Sequence, residues 1–318
     1  MTSQGYYPLF SVCIPGYNSA KHIEAAIESV LTQTCGDFEL LIQDDVSTDR
    51  TADIIKSFDD PRLYYKKNES NLGIFGNLNV LCKRARGEYI KILCADDMLS
   101  RNCLQTIEAV LNDHEQKPKV ISVKETGSPK CLYKRHRLSD LHMFSINKSN
   151  LFKFLCEKHN WGGGLAELCV ERDFFRMRNY FGENRKGADF SRDIIVWFEM
   201  ALETDVLMIN EPLVYQRQHS GQARYKLPRI NQLREMFEFF YGRERDLQDL
   251  AGYAEGRKRY LDRYLMSHYW YGMKYFASGG GMTYLNKVSS LRRQYKHSDI
   301  AWNVLFLRIL ERLAPVRI

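Results

Sequence analysis

The segment "YIKILCADDMLS" (Tyr89–Ser100) carries an apolar run straight into two adjacent carboxylates, Asp96 and Asp97. A short apolar run with little alternation is the pattern of a strand covered on both faces, as in parallel sheets flanked by helices. Like charges placed together at the end of such a strand repel each other and lose hydration. The sequence therefore raises the question of what they hold.

Outward from this strand the same pattern repeats. "FSVCI" (Phe10–Ile14), "FELLI" (Phe38–Ile42) and "RLYYKK" (Arg62–Lys67) read as strands, and "KVISV" (Lys119–Val123) closes the series. Residues 19–34 put Ile23, Ile27, Val30 and Leu31 on one helical face, with Asn18 or Ser19 as N-cap. Further helices are predicted at "TADIIKSF" (Thr51–Phe58), at "FGNLNVLCKRA" (Phe75–Ala85), and after a Ser100 cap through Leu104, Ile107, Val110 and Leu111. Alternating strands and helices predict an α/β protein with a mostly parallel sheet. Ligands of such sheets bind beyond the carboxyl ends of the strands. Three strands end in polar tips, "IPGYN" (Ile14–Asn18), "QDDVSTD" (Gln43–Asp49) and "ADDMLS" (Ala95–Ser100), which should converge on one crevice.

Past residue 130 the pattern is less regular. "NWGGGLAELCV" (Asn160–Val170) sets Gly163 and Gly164 just before a strand-like run, as where backbone presses close to a ligand. "SRDIIVWFEMALE" (Ser191–Glu203) is helical. "DVLMINEPLVYQRQHSG" (Asp205–Gly221) predicts a strand, a turn at Glu211–Pro212, a second strand and a polar ending at His219.

The whole chain bounds these readings. Its 318 residues suffice for one large domain plus an appendage, and 44% hydrophobic with 27% charged residues is ordinary for a globular protein. Eight scattered cysteines form no CxxC pair, which argues against a zinc site or a redox dithiol and fits a reducing, cytoplasmic setting. The first ten residues have neither a basic nor an apolar signal region, and no apolar run is long enough to span a bilayer. Charge is uneven. Residues 224–318 hold 18 Lys and Arg against 9 Asp and Glu, a balance of +9, which leaves −2 for residues 1–223. A basic tail with interleaved aromatics, such as "RKRYLDRYLMSHYWYGMKYF" (Arg257–Phe276), fits an anionic membrane surface or a face buried on the catalytic part or a second subunit. Nucleic acid is not expected as its partner.

Paired carboxylates at a strand end suit a hard divalent cation, Mg²⁺ or Mn²⁺, that bridges phosphates. The competing assignment for Asp97 is a helix-capping role ahead of Ser100. The convergence of the other strand tips favours the metal.

Together these motifs carry a family resemblance. "VCIPGYNSAKHIEAAIESVLTQTCGDFELLIQDDVSTDRT" (Val12–Thr51) and "NLGIFGNLNVLCKRARGEYIKILCADD" (Asn71–Asp97), followed by "SRDIIVWFEMA" and "YQRQHSGQ", resemble the glycosyltransferase family 2 enzymes of GT-A fold. The resemblance spans roughly residues 9–222. It implies inverting transfer of a sugar from a nucleoside diphosphate donor, UDP by default, to a saccharide or lipid-linked saccharide acceptor, as in bacterial surface polysaccharide synthesis. Carried over by position, Pro15, Tyr17, Asn18, Asp45, Asn77 and Asp96 would bind the nucleotide, and Asp97, Asp96 and His219 the Mn²⁺ or Mg²⁺ ion. Asp193 would be the general base, with Arg217, Gly163 and Gly164 near the diphosphate or acceptor. Plainer roles compete: an Asx turn for Asp45, a first-turn helix carboxylate for Asp193, and a surface or core histidine for His219. Two departures stand out. Gly76 precedes Asn77 where many members have arginine, and Cys94 stands where the metal motif often has a further aspartate.

The sequence thus predicts a GT-A catalytic domain over residues 1–222, with a nucleotide-sugar half at about 9–125 and an acceptor half at about 126–222. A basic helical extension follows over 223–318, through which a homo-oligomer could form. The setting is cytoplasmic or peripheral on the inner membrane face. A nucleotidyltransferase would carry a Gly-rich basic loop after the first strand, which "PGYNSAKH" (Pro15–His22) is not. A non-catalytic nucleotide-sugar-binding protein would have no use for Asp193.

Overall fold

The computed structural model describes residues 7–133, 141–157, 164–178, 192–219, 229–248, 253–274, 281–295 and 297. They fall into two compact units that divide between Gln222 and Ala223. The first unit is built on a nine-stranded mixed sheet in the order β3-β2-β1-β4-β8-β6-β9-β5, with β7 also paired to β9. Its strands are β1 (Phe10–Gly16), β2 (Phe38–Asp44), β3 (Leu63–Lys67), β4 (Tyr89–Ile92), β5 (Met98–Leu99), β6 (Val120–Thr126), β7 (Met143–Ile146), β8 (Leu168–Glu171) and β9 (Val206–Tyr215). Helices α1 (Ile23–Leu31), α2 (Thr51–Lys56), α3 (Gly73–Arg84), α4 (Cys103–Asp113), α5 (Lys148–Glu157), α6 (Arg172–Arg178) and α7 (Arg192–Met200) complete the unit.

The unalternating apolar runs are the strands closed off on both faces. Phe10, Val12, Ile14, Leu40, Ile42, Ile90 and Ile92 are all fully buried. Ile23, Ala26, Ile27 and Val30 of α1 join the same core. Parallel pairing links β1 to β2 and β4, and β2 to β3. Further along the chain β8 is antiparallel to both β4 and β6, while β6 and β9 are parallel.

Three local expectations change. Helix α1 begins after His22, with no side-chain cap, so neither Asn18 nor Ser19 caps it. Ser100 lies ahead of α4, whose N-cap residue is Asn102, and its hydroxyl bonds Asn102 at 3.2 Å. There is no turn at Glu211–Pro212. Strand β9 runs through Pro212, which faces Lys124 where the β6–β9 register shifts. At such an irregularity the missing proline N–H removes no regular ladder bond.

The second unit is helical: α8 (Arg229–Gly242), α9 (Glu244–Leu247), α10 (Tyr253–Lys274) and α11 (Gly281–Gln294). Its core is formed by Phe237 and Phe240 of α8, Tyr260, Leu261, Leu265 and Tyr269 of α10, and Val288 and Leu291 of α11. Buried His297 links Tyr241 (2.7 Å) to Asp262 (2.9 Å). The tail's aromatics that suggested a membrane face therefore include several that build this core. Part of its positive charge is matched locally, Arg257 by Glu244 at 2.6 Å and Arg259 by Glu255 at 2.5 Å. Among the described residues no helix is long and apolar enough to cross a membrane.

Gly87 shows how closely the first strands approach. Its N–H donates to Ser11 Oγ at 2.8 Å, and a Cβ there would lie 2.5 Å from the Phe10 carbonyl carbon and the Ser11 nitrogen. Backbone on both sides leaves no room to yield, so Gly87→Ala should destabilise the protein by on the order of 3 kcal/mol. Gly36→Ala, with nothing within 4 Å of the added carbon, should leave stability nearly unchanged. Thermal unfolding of the two variants beside the parent checks the contrast.

Candidate active site

The tips of β1, β2 and β4 lie at one edge of the sheet, because parallel pairing sets Gly16 beside Asp44 and Cys13 beside Ile92. The first two tips are latched together. Asn18 N–H donates to Ser47 Oγ at 2.9 Å, Thr48 N–H to Asn18 Oδ1 at 2.8 Å, and Asp45 N–H to the Gly16 carbonyl at 2.8 Å. Asn18 and Val46 hold left-handed backbone, φ 46° and 65°. That conformation is unfavourable for a β-branched residue and persists only where the surroundings impose it. Pro15 is half-buried beside this latch, and the Tyr17 ring is 53% exposed and open to a ligand.

Asp45 is 3% exposed, and its carboxylate accepts from Leu72 N–H (2.8 Å), Gly73 N–H (2.9 Å) and Asn68 Nδ2 (2.8 Å). These bonds hold the start of α3 against β2. These three bonds take up three of about four lone-pair positions on the carboxylate. Asn77 is placed differently from the expectation. It is 1% exposed, donates to the Gln43 carbonyl at 2.8 Å and accepts from Asn68 at 3.0 Å. Both ends of its amide thus face inward, where it braces Asp45 through Asn68.

The carboxylate pair sits between β4 and β5, and the end of β9 closes on it from 120 residues further along the chain. The Arg217 backbone N–H donates to Asp97 Oδ1 at 3.0 Å, and its Nε donates to the Asp96 carbonyl at 3.2 Å. His219 Nε2 lies 3.0 Å from Asp96 Oδ2, and the His219 ring packs on His22 with centroids 4.6 Å apart. Burial, then the Arg217 and His219 charges, hold the His22 imidazole below its ordinary value. Asp97 is 3% exposed, and burial followed by the Asp96 charge pushes its carboxyl up to about 8. The ligating atoms of Cys94, Asp96 and Asp97 all lie within 4.8 Å of one another. Two hard oxygen donors, one of them a buried carboxylate that resists ionising without a nearby cation, fit a divalent ion. The Cys94 thiol, pushed up by burial and then by Asp97 and Asp96, stands beside them as a poorer ligand for a hard ion.

Asp193 is in the first turn of α7, half-buried, with the Ile194 N–H donating to its Oδ1 at 2.8 Å. Its charge, with that of Glu125, reaches Cys94, so it belongs to the same neighbourhood. The adjacent Arg192 is buried and matched by Glu199 at 2.8 Å. Gly163 lies outside the described residues. Gly164 backs onto Glu125. Sequence reasoning missed His22 and Glu125. Glu125 stands near the end of β6, and the rule used for the other strand tips would have found it. Nothing local marks His22.

The comparisons agree with this architecture. Residues 11–163 match the sequence model of glycosyl transferase family 2. This region belongs to that family. A glycosyltransferase of Rickettsia typhi, described as uncharacterized, is 27% identical over 237 residues, 74% of this chain and 71% of its own length. The poly(ribitol-phosphate) β-N-acetylglucosaminyltransferase TarS of Staphylococcus aureus is 28% identical over 189 residues, 55% of this chain and a third of TarS, 33%. A TarS structure holding UDP-GlcNAc superposes with TM-score 0.60 at 18% identity, over 90% of this chain and 92% of that one. The mannosyltransferase PcManGT of Pyrobaculum calidifontis, solved with GDP-Man and Mn²⁺, gives 0.55 at 18% identity over 97% and 81%. The family 2 region and its sheet thus have the GT-A fold.

The Asp97 carboxyl is raised from 3.8 to about 8, so its charge opposes folding at neutral pH. That penalty is absent below the unfolded value and grows as pH rises toward the folded one. In chelator at pH 7.5, Asp97→Asn should therefore be more stable than the parent by on the order of 3 kcal/mol. The difference should vanish near pH 4. Excess Mn²⁺ should raise the melting temperature of the parent and leave the variant unmoved, as thermal unfolding under the three conditions will show.

Proposed function

We propose that this protein transfers a sugar from a nucleoside diphosphate donor, UDP-sugar favoured, to a saccharide or lipid-linked saccharide with inversion at the anomeric carbon. The observation that carries the reading is the Asp96–Asp97 pair, Asp97 buried and Asp96 half-buried, tied to Arg217 and His219, with Asp193 in the same neighbourhood on a separate helix. Pro15 and Tyr17 bind the base and Asp45 accepts from it, with Asn18 and Asn77 holding those tips in place. Asp96 meets the ribose or the metal. A divalent cation, Mn²⁺ or Mg²⁺, held by Asp97 and Asp96 with His219 in reach, would neutralise the charge that grows on the departing nucleoside diphosphate. Arg217 adds a fixed guanidinium at the same edge, suited to a diphosphate oxygen.

Asp193 takes the proton of the acceptor hydroxyl. The acceptor oxygen bonds to the anomeric carbon as the bond to the phosphate oxygen breaks, and its electron pair leaves with the nucleoside diphosphate. One displacement from the face opposite the leaving group inverts the anomeric centre. TarS, named for transfer of N-acetylglucosamine to poly(ribitol-phosphate) and solved with UDP-GlcNAc, supports a UDP donor and a surface-polymer acceptor. PcManGT, solved with Mn²⁺, supports the metal.

Asp193→Asn should bind donor like the parent yet lose on the order of 10²–10⁴-fold in transfer rate. Isothermal titration and single-turnover transfer with a panel of nucleotide sugars separate the two effects. Loss of donor binding with unchanged turnover would remove Asp193 from this role, and a product of retained anomeric configuration would exclude the single displacement.

A further inference from the structure

Gly164 raises a question its own backbone does not answer. Its φ of −85° and ψ of 134° are ordinary extended values that any residue adopts, so the glycine is not there for conformational freedom. What it leaves is space. A Cβ at 164 would stand 2.6 Å from Glu125 Oε2, 3.2 Å from its Cδ and 3.5 Å from Oε1. The missing side chain makes room for a carboxylate.

Glu125 is mounted to be aimed. It is the next-to-last residue of β6, and the β6–β9 register shifts on both sides of Lys124, so that Lys124 faces Pro212 and Glu125 faces Val214. Irregularities of this kind re-aim side chains beside functional sites. Val214 in turn pairs with Leu99 of β5, two residues beyond Asp97, and Tyr215 pairs with both Thr126 and Met98. The ends of β6 and β9 and the start of β5 therefore share one edge, the edge that holds Asp96 and Asp97. The Glu125 charge also reaches Asp97 and Cys94. Glu125 lies outside the tight group of Cys94, Asp96 and Asp97 that could hold a cation. On the reading above Asp193 already supplies the base. What that site still requires is a rigid acceptor for the hydroxyls of a neutral sugar, and a carboxylate can accept from two of them with charge-assisted strength.

We propose that Glu125 binds hydroxyl groups of the transferred sugar, and that Gly164 is a positioning residue whose missing side chain keeps the Glu125 carboxylate in place. The assignment rests on the donor reading given above. Its test uses the full chain, UDP, and the UDP-sugar that binds the parent most tightly in the panel, by isothermal titration. Glu125→Gln preserves shape and should leave UDP affinity within about two-fold, while UDP-sugar affinity falls about 10–100-fold, the range for hydrogen bonds to a charged group. Gly164→Ala should reproduce this selective loss, and the double variant should lose little more than either single one. The parent melting temperature should be retained in Glu125→Gln, which separates loss of contact from loss of fold. If Glu125→Gln binds both ligands like the parent, or if the two substitutions add in full, the assignment is wrong while the donor reading stands. A parent that binds UDP but no UDP-sugar, or neither, overturns both.

Discussion

The structure of this site depends on one constraint, two neighbouring carboxylates kept at the end of a buried strand. Asp97 is almost wholly buried, and its charge is unfavourable next to Asp96. The fold meets this by bringing the end of β9 across the tip, where the Arg217 backbone N–H bonds Asp97 and His219 reaches Asp96. Strand β5, only Met98–Leu99, pairs with β9 directly after the carboxylates and fixes that approach. These contacts do not neutralise the pair fully, which is the electrostatic reason a divalent cation suits the place.

The neighbouring tips are held by a different means. The β1 and β2 loops are tied by hydrogen bonds among Asn18, Ser47, Thr48 and Asp45, and the left-handed Val46 is imposed by those ties. Behind them a polar chain runs from Asp45 through Asn68 and Asn77 to Gln43, and Gln43 accepts from Arg84 at 2.5 Å. A sheet edge supported in this way is preorganised: polar groups that would otherwise seek water already have fixed partners. The helical unit after residue 222 is a separate matter. Several of its aromatics, among them Phe237, Phe240, Tyr260 and Tyr269, serve its own core, and part of its positive charge is paired locally.

Much of this was legible in the order of residues. The apolar runs at 10–14, 38–42 and 89–92 fix buried strands because a strand covered on both faces needs no polar alternation. The polar tips that follow them, with Asp96 and Asp97 foremost, mark the functional edge because loops at strand ends carry the groups a ligand meets. Family membership of the first half follows from those same motifs. Tertiary structure decided the partners. No local pattern joins Asp97 to Arg217, 120 residues away, turns Asn77 inward, stacks His22 on His219, carries β9 through Pro212, or sets Gly164 against Glu125. Hydrophobic periodicity is a property of neighbours in sequence, whereas side-chain pairing across a sheet depends on strand order and register, which only the packed core selects.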